Sequence, residues 1–273
     1  MPRPIVCRSL LARSLFLAIA LSCVGTCALA IAADPVDIVF QANVDQTEQR
    51  YVLIAPDSPS ATGIDVLIAL HGHGSDRWQF ATGQLAEGRA ARDIAAKYAM
   101  LYVSPDYRAK TSWMGPKAEA DVQQIIAELK AKYPVRRVFL SGASMGGTSV
   151  LTYAAIHPDD VDGVISMNGT ANHLEYERFQ EAISASFGGS KVEIPAEYKK
   201  RSGEYWPERF TMPVGFTTGG RDTIVPPESV TRLANILKRL DRPVRQIHRE
   251  AGGHSTTYED AIEAFEFVIQ AAQ

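Results

Sequence analysis

Residues 137–147, RVFLSGASMGG, are the part of the sequence most informative about the fold, and they contain the first candidate catalytic residue. The apolar part of this segment, residues 138–140, predicts a buried strand, and residues 148–157 have a helical pattern. Between the two lies Gly-x-Ser-x-Gly, centred on Ser144. So tight a turn needs small residues beside the serine, and it exposes the hydroxyl next to a helix N-terminus. We therefore predict that Ser144 is a nucleophile at the carboxyl end of a strand.

On both sides of this segment, short runs of β-branched residues alternate with helical patterns along most of the chain. Residues 36–40, 51–55, 66–70, 100–104, 138–140, 164–167, 214–217 and 244–248 are the predicted strands. Residues 85–98, 119–133, 148–157, 229–240 and 257–272 are the predicted helices. This alternation is typical of a mostly parallel sheet with helices on both faces. We expect one α/β domain over residues 34–273.

The segment 170–210 breaks the alternation. It is long, polar and rich in aromatic residues, where a short connection between helix and strand would be enough. We expect a cap-like insertion over the edge of the sheet, because long loops in compact domains are often functional. The alternative is a helical excursion that packs only for stability.

Partners for the serine follow in chain order. A serine hydroxyl is a weak nucleophile, so it needs a histidine base and an acid that orients the base. Asp222 follows the predicted strand 214–217, and His254 follows the last predicted strand. Both therefore fall at the carboxyl edge of the sheet, where open α/β sheets place their sites. The predicted catalytic residues are Ser144, Asp222 and His254.

A further loop predicts an oxyanion hole. Leu70-His71-Gly72-His73-Gly74 follows the predicted central strand, in the HG-x-G form that donates a backbone N–H to a reacting carbonyl oxygen. The amides of His73 and Met145 are the two predicted donors. A direct contact of the His73 side chain with substrate is an alternative role for this residue.

These motifs resemble the α/β-hydrolase superfamily across residues 34–273. The resemblance rests on HG-x-G, on G-x-S-x-G, on the Gly-x-x-Asp-x-x-Val-Pro run around Asp222, and on Gly-Gly-His at His254. Within the superfamily, the chain is similar to secreted serine esterases. That group includes feruloyl and acetylxylan esterases, polyhydroxybutyrate depolymerases and prolyl-oligopeptidase-like hydrolases. The resemblance implies an α/β-hydrolase fold and a Ser-His-Asp acyl-enzyme mechanism.

The N-terminus predicts export. Arg3, Arg8 and Arg13 precede an apolar run at residues 14–24, and A-x-A patterns follow it. This is the layout of a signal peptide, with cleavage expected between Ala30 and Asp34. An uncleaved anchor and a lipid-modified cysteine are weaker alternatives. We expect a secreted or periplasmic protein, with signal peptide 1–33 and no stable membrane insertion after cleavage.

The amino-acid composition argues against some classes of binding partner and cofactor. The whole chain has 28 basic and 31 acidic residues. Without the three N-terminal arginines, the remaining 25 and 31 give a net charge of −6. An acidic protein without a basic run is a poor nucleic-acid binder. All three cysteines lie within the first 27 residues, and H-E-x-x-H does not occur. We therefore expect neither a metal nor another cofactor.

The substrate is less defined by the sequence. Trp78, Tyr107, Trp113 and Trp206 are the tentative substrate-binding residues, each with a packing role as the alternative. A small-molecule or carbohydrate ester is the expected partner. The second functional hypothesis is a secreted serine peptidase of the prolyl-oligopeptidase-like type, because the same catalytic triad serves esterases and peptidases. A non-catalytic hydrolase-fold binding module is the third, and it would have no need of a triad.

Overall fold

The computed structural model describes residues 1–2, 34–56, 60 and 63–273. The expected signal peptide, residues 1–33, lies outside the described residues except for Met1 and Pro2. Within the part of the chain that the structure describes, no helix is both long and apolar enough to cross a membrane.

The described residues form one eight-stranded sheet in the order β1-β2-β4-β3-β5-β6-β7-β8. Its strands are β1 (Val36–Gln41), β2 (Glu48–Ile54), β3 (Ile64–Leu70), β4 (Leu101–Pro105), β5 (Val135–Ala143), β6 (Gly163–Met167), β7 (Val214–Gly219) and β8 (Val244–Arg249). The pairs β1–β2 and β2–β4 are antiparallel, and the other pairs are parallel. The parallel strands end at one edge, which is where the candidate site lies.

Eight α-helices accompany these strands in the part of the chain that the structure describes. They are α1 (Trp78–Ala81), α2 (Ala86–Lys97), α3 (Pro116–Lys132), α4 (Met145–Ile156), α5 (Gln180–Phe187), α6 (Pro195–Lys200), α7 (Glu228–Arg239) and α8 (Tyr258–Ala271). Apolar residues of α1, α2 and α8 pack on one face of the sheet. Those of α3, α4, α5 and α7 pack on the other. β3 is buried along its whole length because both faces are covered.

The predicted fold class is confirmed, with shifts of a few residues at the ends of the elements. The largest differences are that β5 begins at Val135 and that the short helix α1 follows β3. The sequence pattern shows neither, because Arg136 and Arg137 interrupt the apolar run and four residues are too few for a helical period.

The segment 170–210 lies against the face covered by α3, α4 and α7. It holds α5, α6 and two three-residue 3-10 helices. Its side chains Ile183, Phe187, Tyr198 and Phe210 are buried in the core on that face. Most of the segment is therefore packed as part of the domain, and only a small portion of it reaches the candidate site.

A buried arginine joins this segment to the rest of the domain. Arg201, which follows α6, is 1 % exposed. Its guanidinium pairs with Glu119 of α3 and with Glu197, both over 2.7 Å. It also donates to the carbonyl oxygen of Met114 over 2.7 Å. A buried guanidinium needs such partners, because a lone charge there would be strongly destabilising.

Candidate active site

Ser144 occupies a strained turn between β5 and α4. Its backbone lies at φ 57° and ψ −119°, a conformation that costs a non-glycine residue free energy. The Ser144 N–H donates to the carbonyl oxygen of Met167 over 2.8 Å. A Cβ at Gly142 would lie 2.4 Å from the backbone of Gly146, and one at Gly146 would lie 2.0 Å from the Leu70 carbonyl oxygen. Only glycine fits either position, and the strands on both sides hold the turn in place.

The structure brings the three predicted catalytic side chains into one hydrogen-bonded line. His254 Nδ1 lies 2.7 Å from Asp222 Oδ2, and His254 Nε2 lies 2.8 Å from Ser144 Oγ. An ionised carboxylate only accepts hydrogen bonds, so Nδ1 carries the proton. Nε2 is then free to accept from the Ser144 hydroxyl, which is the arrangement that a general base requires.

Asp222 is held as a carboxylate. Burial alone would raise its pKa, but hydrogen bonds from His254 and from the backbone N–H groups of Val225 and Ile224 hold the pKa below its ordinary value. The two backbone groups donate to Oδ1 over 2.9 Å each. This leaves Oδ2 directed at the imidazole. The side chain is 1 % exposed, so water does not compete for these bonds.

The loop that carries His254 is anchored by Thr256. The Thr256 hydroxyl lies 2.6 Å from both Asn168 Oδ1 and Thr217 Oγ1. The Thr256 N–H donates to Glu87 Oε1 over 2.9 Å. These contacts tie the loop to the ends of β6 and β7 and to α2. The imidazole is therefore positioned before any ligand arrives.

Two backbone amides, those of His73 and Met145, are the candidate oxyanion donors. In the oxyanion loop, the Gly72 N–H donates to Gln79 Oε1 and the Gly74 N–H donates to the Lys110 carbonyl oxygen, both over 2.7 Å. His73 lies between them and lines the cleft that contains Ser144. Met145 is the first residue of α4, and the first N–H groups of a helix have no intrahelical acceptor. The sequence assignment of His73 and Met145 stays a prediction that fits this geometry.

The His73 ring is held between aromatic neighbours. The Trp113 indole N–H donates to His73 Nδ1 over 3.1 Å. The ring centroid of Phe179 lies 4.3 Å from that of His73. Burial lowers the pKa of His73, which favours the neutral imidazole. Since Nδ1 accepts a hydrogen bond, Nε2 carries the proton of this neutral ring.

Ser144 and His254 open onto a cleft of about 500 Å³. Its apolar lining comes from Phe80, Leu85, Phe179 and Ile224, and its polar lining includes Gln79, Glu87, Asn168, Ser255 and Thr256. Sequence reasoning missed these residues. Phe179 alone carried a signal, as one of the aromatic residues in the segment 170–210. That segment therefore reaches the cleft through Phe179.

The four aromatic residues assigned tentatively to substrate do not line this cleft, which corrects that assignment. Trp113 and Tyr107 are at most 1 % exposed, and the Tyr107 hydroxyl donates to the His71 carbonyl oxygen over 2.7 Å. They support the oxyanion loop from behind. Trp78 packs beside Arg77 and the core on the α1 side. Trp206 donates to the Lys199 carbonyl oxygen over 3.0 Å.

Over residues 34–56, 60 and 63–273, no group of three or more His, Cys, Asp and Glu side chains is placed to hold a metal ion.

Comparisons with known proteins bear on the fold of the chain. Residues 65–197 match a protein-family model described as the alpha/beta hydrolase fold. No curated protein matches the sequence significantly. Solved structures do match in shape. S-formylglutathione hydrolase from Staphylococcus aureus is 13 % identical with a TM-score of 0.66, and the match covers 88 % of this chain and 99 % of that one.

Two other solved structures show how broad the likeness is. A ferulic acid esterase is 16 % identical with a TM-score of 0.65, over 87 % of this chain and 98 % of the other. The acylaminoacyl peptidase of Pyrococcus horikoshii is 16 % identical with a TM-score of 0.67, over 88 % of this chain. This chain spans 41 % of that peptidase's length. At such identities the likeness establishes the fold, which esterases and peptidases share.

Proposed function

Because the chain has the α/β-hydrolase fold, we propose that it is a serine hydrolase that cleaves carboxylic esters through an acyl-enzyme on Ser144. One observation carries the proposal. Ser144 Oγ, both nitrogens of His254 and Asp222 Oδ2 form a continuous line with bonds of 2.8 and 2.7 Å. The line ends in a cleft large enough for a small ester.

The reaction follows from the positions of these atoms. Ser144 Oγ attacks the ester carbonyl carbon while His254 Nε2 takes its proton, and Asp222 stabilises the imidazolium that forms. The amides of His73 and Met145 stabilise the oxyanion. His254 then gives the proton to the leaving alcohol, and the acyl group stays on Ser144. Water attacks the acyl-enzyme with His254 as base, which releases the acid and restores the serine.

A carbohydrate-linked acyl ester is the substrate class that we propose first. The polar side chains along the cleft support it, because sugar hydroxyls need both donors and acceptors. A serine peptidase is the second candidate, supported by the peptidase likeness over 88 % of this chain. The same atoms would then expel an amine in place of an alcohol.

The proposal is tested by covalent labelling. The mature protein is expected to react with a fluorophosphonate probe, and Ser144→Ala is expected to abolish the labelling while the circular dichroism spectrum stays unchanged. A folded wild type that resists the probe, or a variant that still labels, contradicts the proposal. Acetyl and feruloyl sugar esters should turn over while peptide anilides should not. The reverse preference would favour the peptidase.

We also propose that residues 1–33 direct export. The support is the sequence layout of the segment, with its basic start, apolar run and small residues. N-terminal sequencing of protein recovered from the periplasm or the medium should begin between Ile31 and Asp34. Recovery of the full-length chain from the cytoplasm alone would contradict export.

A further inference from the structure

One wall of the cleft carries a carboxylate that the proposed chemistry does not use. Glu87, in the first turn of α2, lines the cleft and is 9 % exposed. Its Oε1 accepts the Thr256 N–H over 2.9 Å. Its Oε2 has no hydrogen-bond or ion-pair partner among residues 34–56, 60 and 63–273. The residue is nearly buried and lines the cleft, so this unpaired oxygen is available to accept a hydrogen bond from a ligand there.

An amide donor stands beside this carboxylate. Gln79 of α1 also lines the cleft, and its Oε1 accepts the Gly72 N–H. Its Nε2 has no acceptor within the part of the chain that the structure describes. A Cβ at Gly88, the neighbour of Glu87, would lie 3.5 Å from the Gln79 carbonyl oxygen. The two residues therefore come from adjacent backbone segments, and both line the cleft, with one unused acceptor and one unused donor.

This wall adjoins the loop that carries His254. Glu87 binds the backbone of Thr256, two residues beyond His254. In the proposed mechanism, His254 Nε2 gives its proton to the leaving oxygen, so that oxygen has to approach the loop that Glu87 supports. The oxyanion loop residue Gly72, held by Gln79, marks the other end of the same wall.

We propose that Glu87 and Gln79 form a subsite for a hydroxyl group on the alcohol half of the ester, an inference that rests on the proposed function. A hydroxyl donates and accepts at the same time, so one group satisfies both Glu87 Oε2 and Gln79 Nε2. An ammonium group only donates, and it would leave Gln79 Nε2 without an acceptor. The subsite therefore selects esters of polyols and sugars over esters of plain alcohols.

The wild type alone gives the first test. Glyceryl monoacetate and propyl acetate share the acyl group and the length of the alcohol, but only the first has free hydroxyls. We expect kcat/KM for glyceryl monoacetate to exceed that for propyl acetate by about tenfold or more, as befits a hydrogen bond to a charged group. A ratio near one overturns the subsite. A wild type that hydrolyses no ester overturns the proposed function, and the subsite with it.

Variants of Glu87 and Gln79 then test whether these two residues cause the preference for glyceryl monoacetate. Glu87→Gln keeps an acceptor for the Thr256 N–H and removes the charge, so the ratio should fall towards one. Gln79→Glu keeps the acceptor for the Gly72 N–H and removes the donor, and it should lower the ratio as well. Glu181→Gln, an exposed change on α5, is the matched control and should keep the wild-type ratio. Both kcat/KM values in the ratio are measured on the same variant. A general loss of activity therefore lowers both values and leaves the ratio unchanged.

Acetylcholine separates a hydroxyl site from a cation site. It shares the acetyl group but has a cationic alcohol half. If the wild type prefers acetylcholine to glyceryl monoacetate, and Glu87→Gln removes that preference, the subsite binds cations and the proposal is overturned. A ratio that both Glu87→Gln and Gln79→Glu leave intact also overturns it, because the preference then arises elsewhere.

Discussion

The indole N–H of Trp113 donates a hydrogen bond to Nδ1 of His73 over 3.1 Å, from a position that is itself fully buried. This contact orients a ring on the oxyanion loop from outside the cleft. Trp113→Phe keeps an aromatic ring there but removes the donor. We expect kcat on p-nitrophenyl acetate to fall about three- to tenfold, which is the usual effect of losing one hydrogen bond.

A matched control is available for that experiment. Trp206→Phe also removes an indole hydrogen bond, the one to Lys199, at a site that does not line the cleft. It should leave kcat unchanged. If Trp113→Phe lowered only the thermal midpoint and left kcat alone, Trp113 would be a packing residue without influence on His73.

Asp222→Asn tests the orienting role of the carboxylate. The amide has nearly the same shape, but it can donate to His254 Nδ1 and stabilise the wrong tautomer. We expect kcat to fall by about three to four orders of magnitude, as in serine proteases with this change. Asp159→Asn, an exposed change outside the site, is the control. A fall of less than tenfold in Asp222→Asn would mean that His254 does not depend on Asp222.

Gly146→Ala tests how tightly the turn is packed. The added Cβ would lie 2.0 Å from the Leu70 carbonyl oxygen, so either the turn or β3 has to move. We expect a loss of several kcal/mol of unfolding free energy, or failure to fold, measured by urea denaturation. At Gly253 a Cβ meets no atom within 4 Å, so Gly253→Ala should change the unfolding free energy little. Equal stability of the two variants would contradict the packing argument.

Glu119 predicts a dependence of stability on pH. Burial would raise its pKa, but the hydrogen bond with His157 and the Arg201 guanidinium lower the pKa to about 2. The folded state then binds this proton less readily than the unfolded state, whose pKa is about 4.5. The stabilising contribution of Glu119 is therefore fully present above pH 4.5 and is lost as the pH falls towards 2.

The measurement compares unfolding free energies of wild type and Glu119→Gln at pH 6 and pH 3. The variant should be clearly less stable at pH 6, and the difference should shrink at pH 3, where the unfolded wild type has already taken up the Glu119 proton and the folded state has not. Glu181→Gln, which carries no such ion pair among the described residues, should show little difference at either pH. A Glu119→Gln difference that stays constant with pH would contradict the prediction.

Short sequence patterns predicted the parts of the site that depend on local backbone geometry. Gly142 and Gly146 predict the tight turn at Ser144, because no larger residue fits at either position. Asp222 and His254 follow strands, and parallel strands end at one edge of the sheet. The alternation of strands and helices predicts a mostly parallel sheet, but it does not predict the order of the strands within the sheet.

Other parts of the site depend on tertiary packing, which such patterns do not encode. Gln79 and Glu87 reach the cleft because α1 and α2 fold back over the end of β3, and neither residue belongs to a motif. Phe179 comes from a segment without a clear period. Residue type alone predicts Trp113 and Tyr107 at the cleft, but it does not show whether an aromatic side chain faces the cleft or is buried behind its wall.

The close contact between Gly146 and Leu70 has a consequence for how this scaffold can diversify. The serine turn and the oxyanion loop leave the sheet from paired positions on adjacent strands, with Leu70 opposite Gly142. Their spacing is a property of strand register, whereas Gln79, Glu87 and Phe179 stand on helices and loops outside the sheet. We therefore expect substitutions on the cleft wall to leave the spacing between the serine turn and the oxyanion loop unchanged.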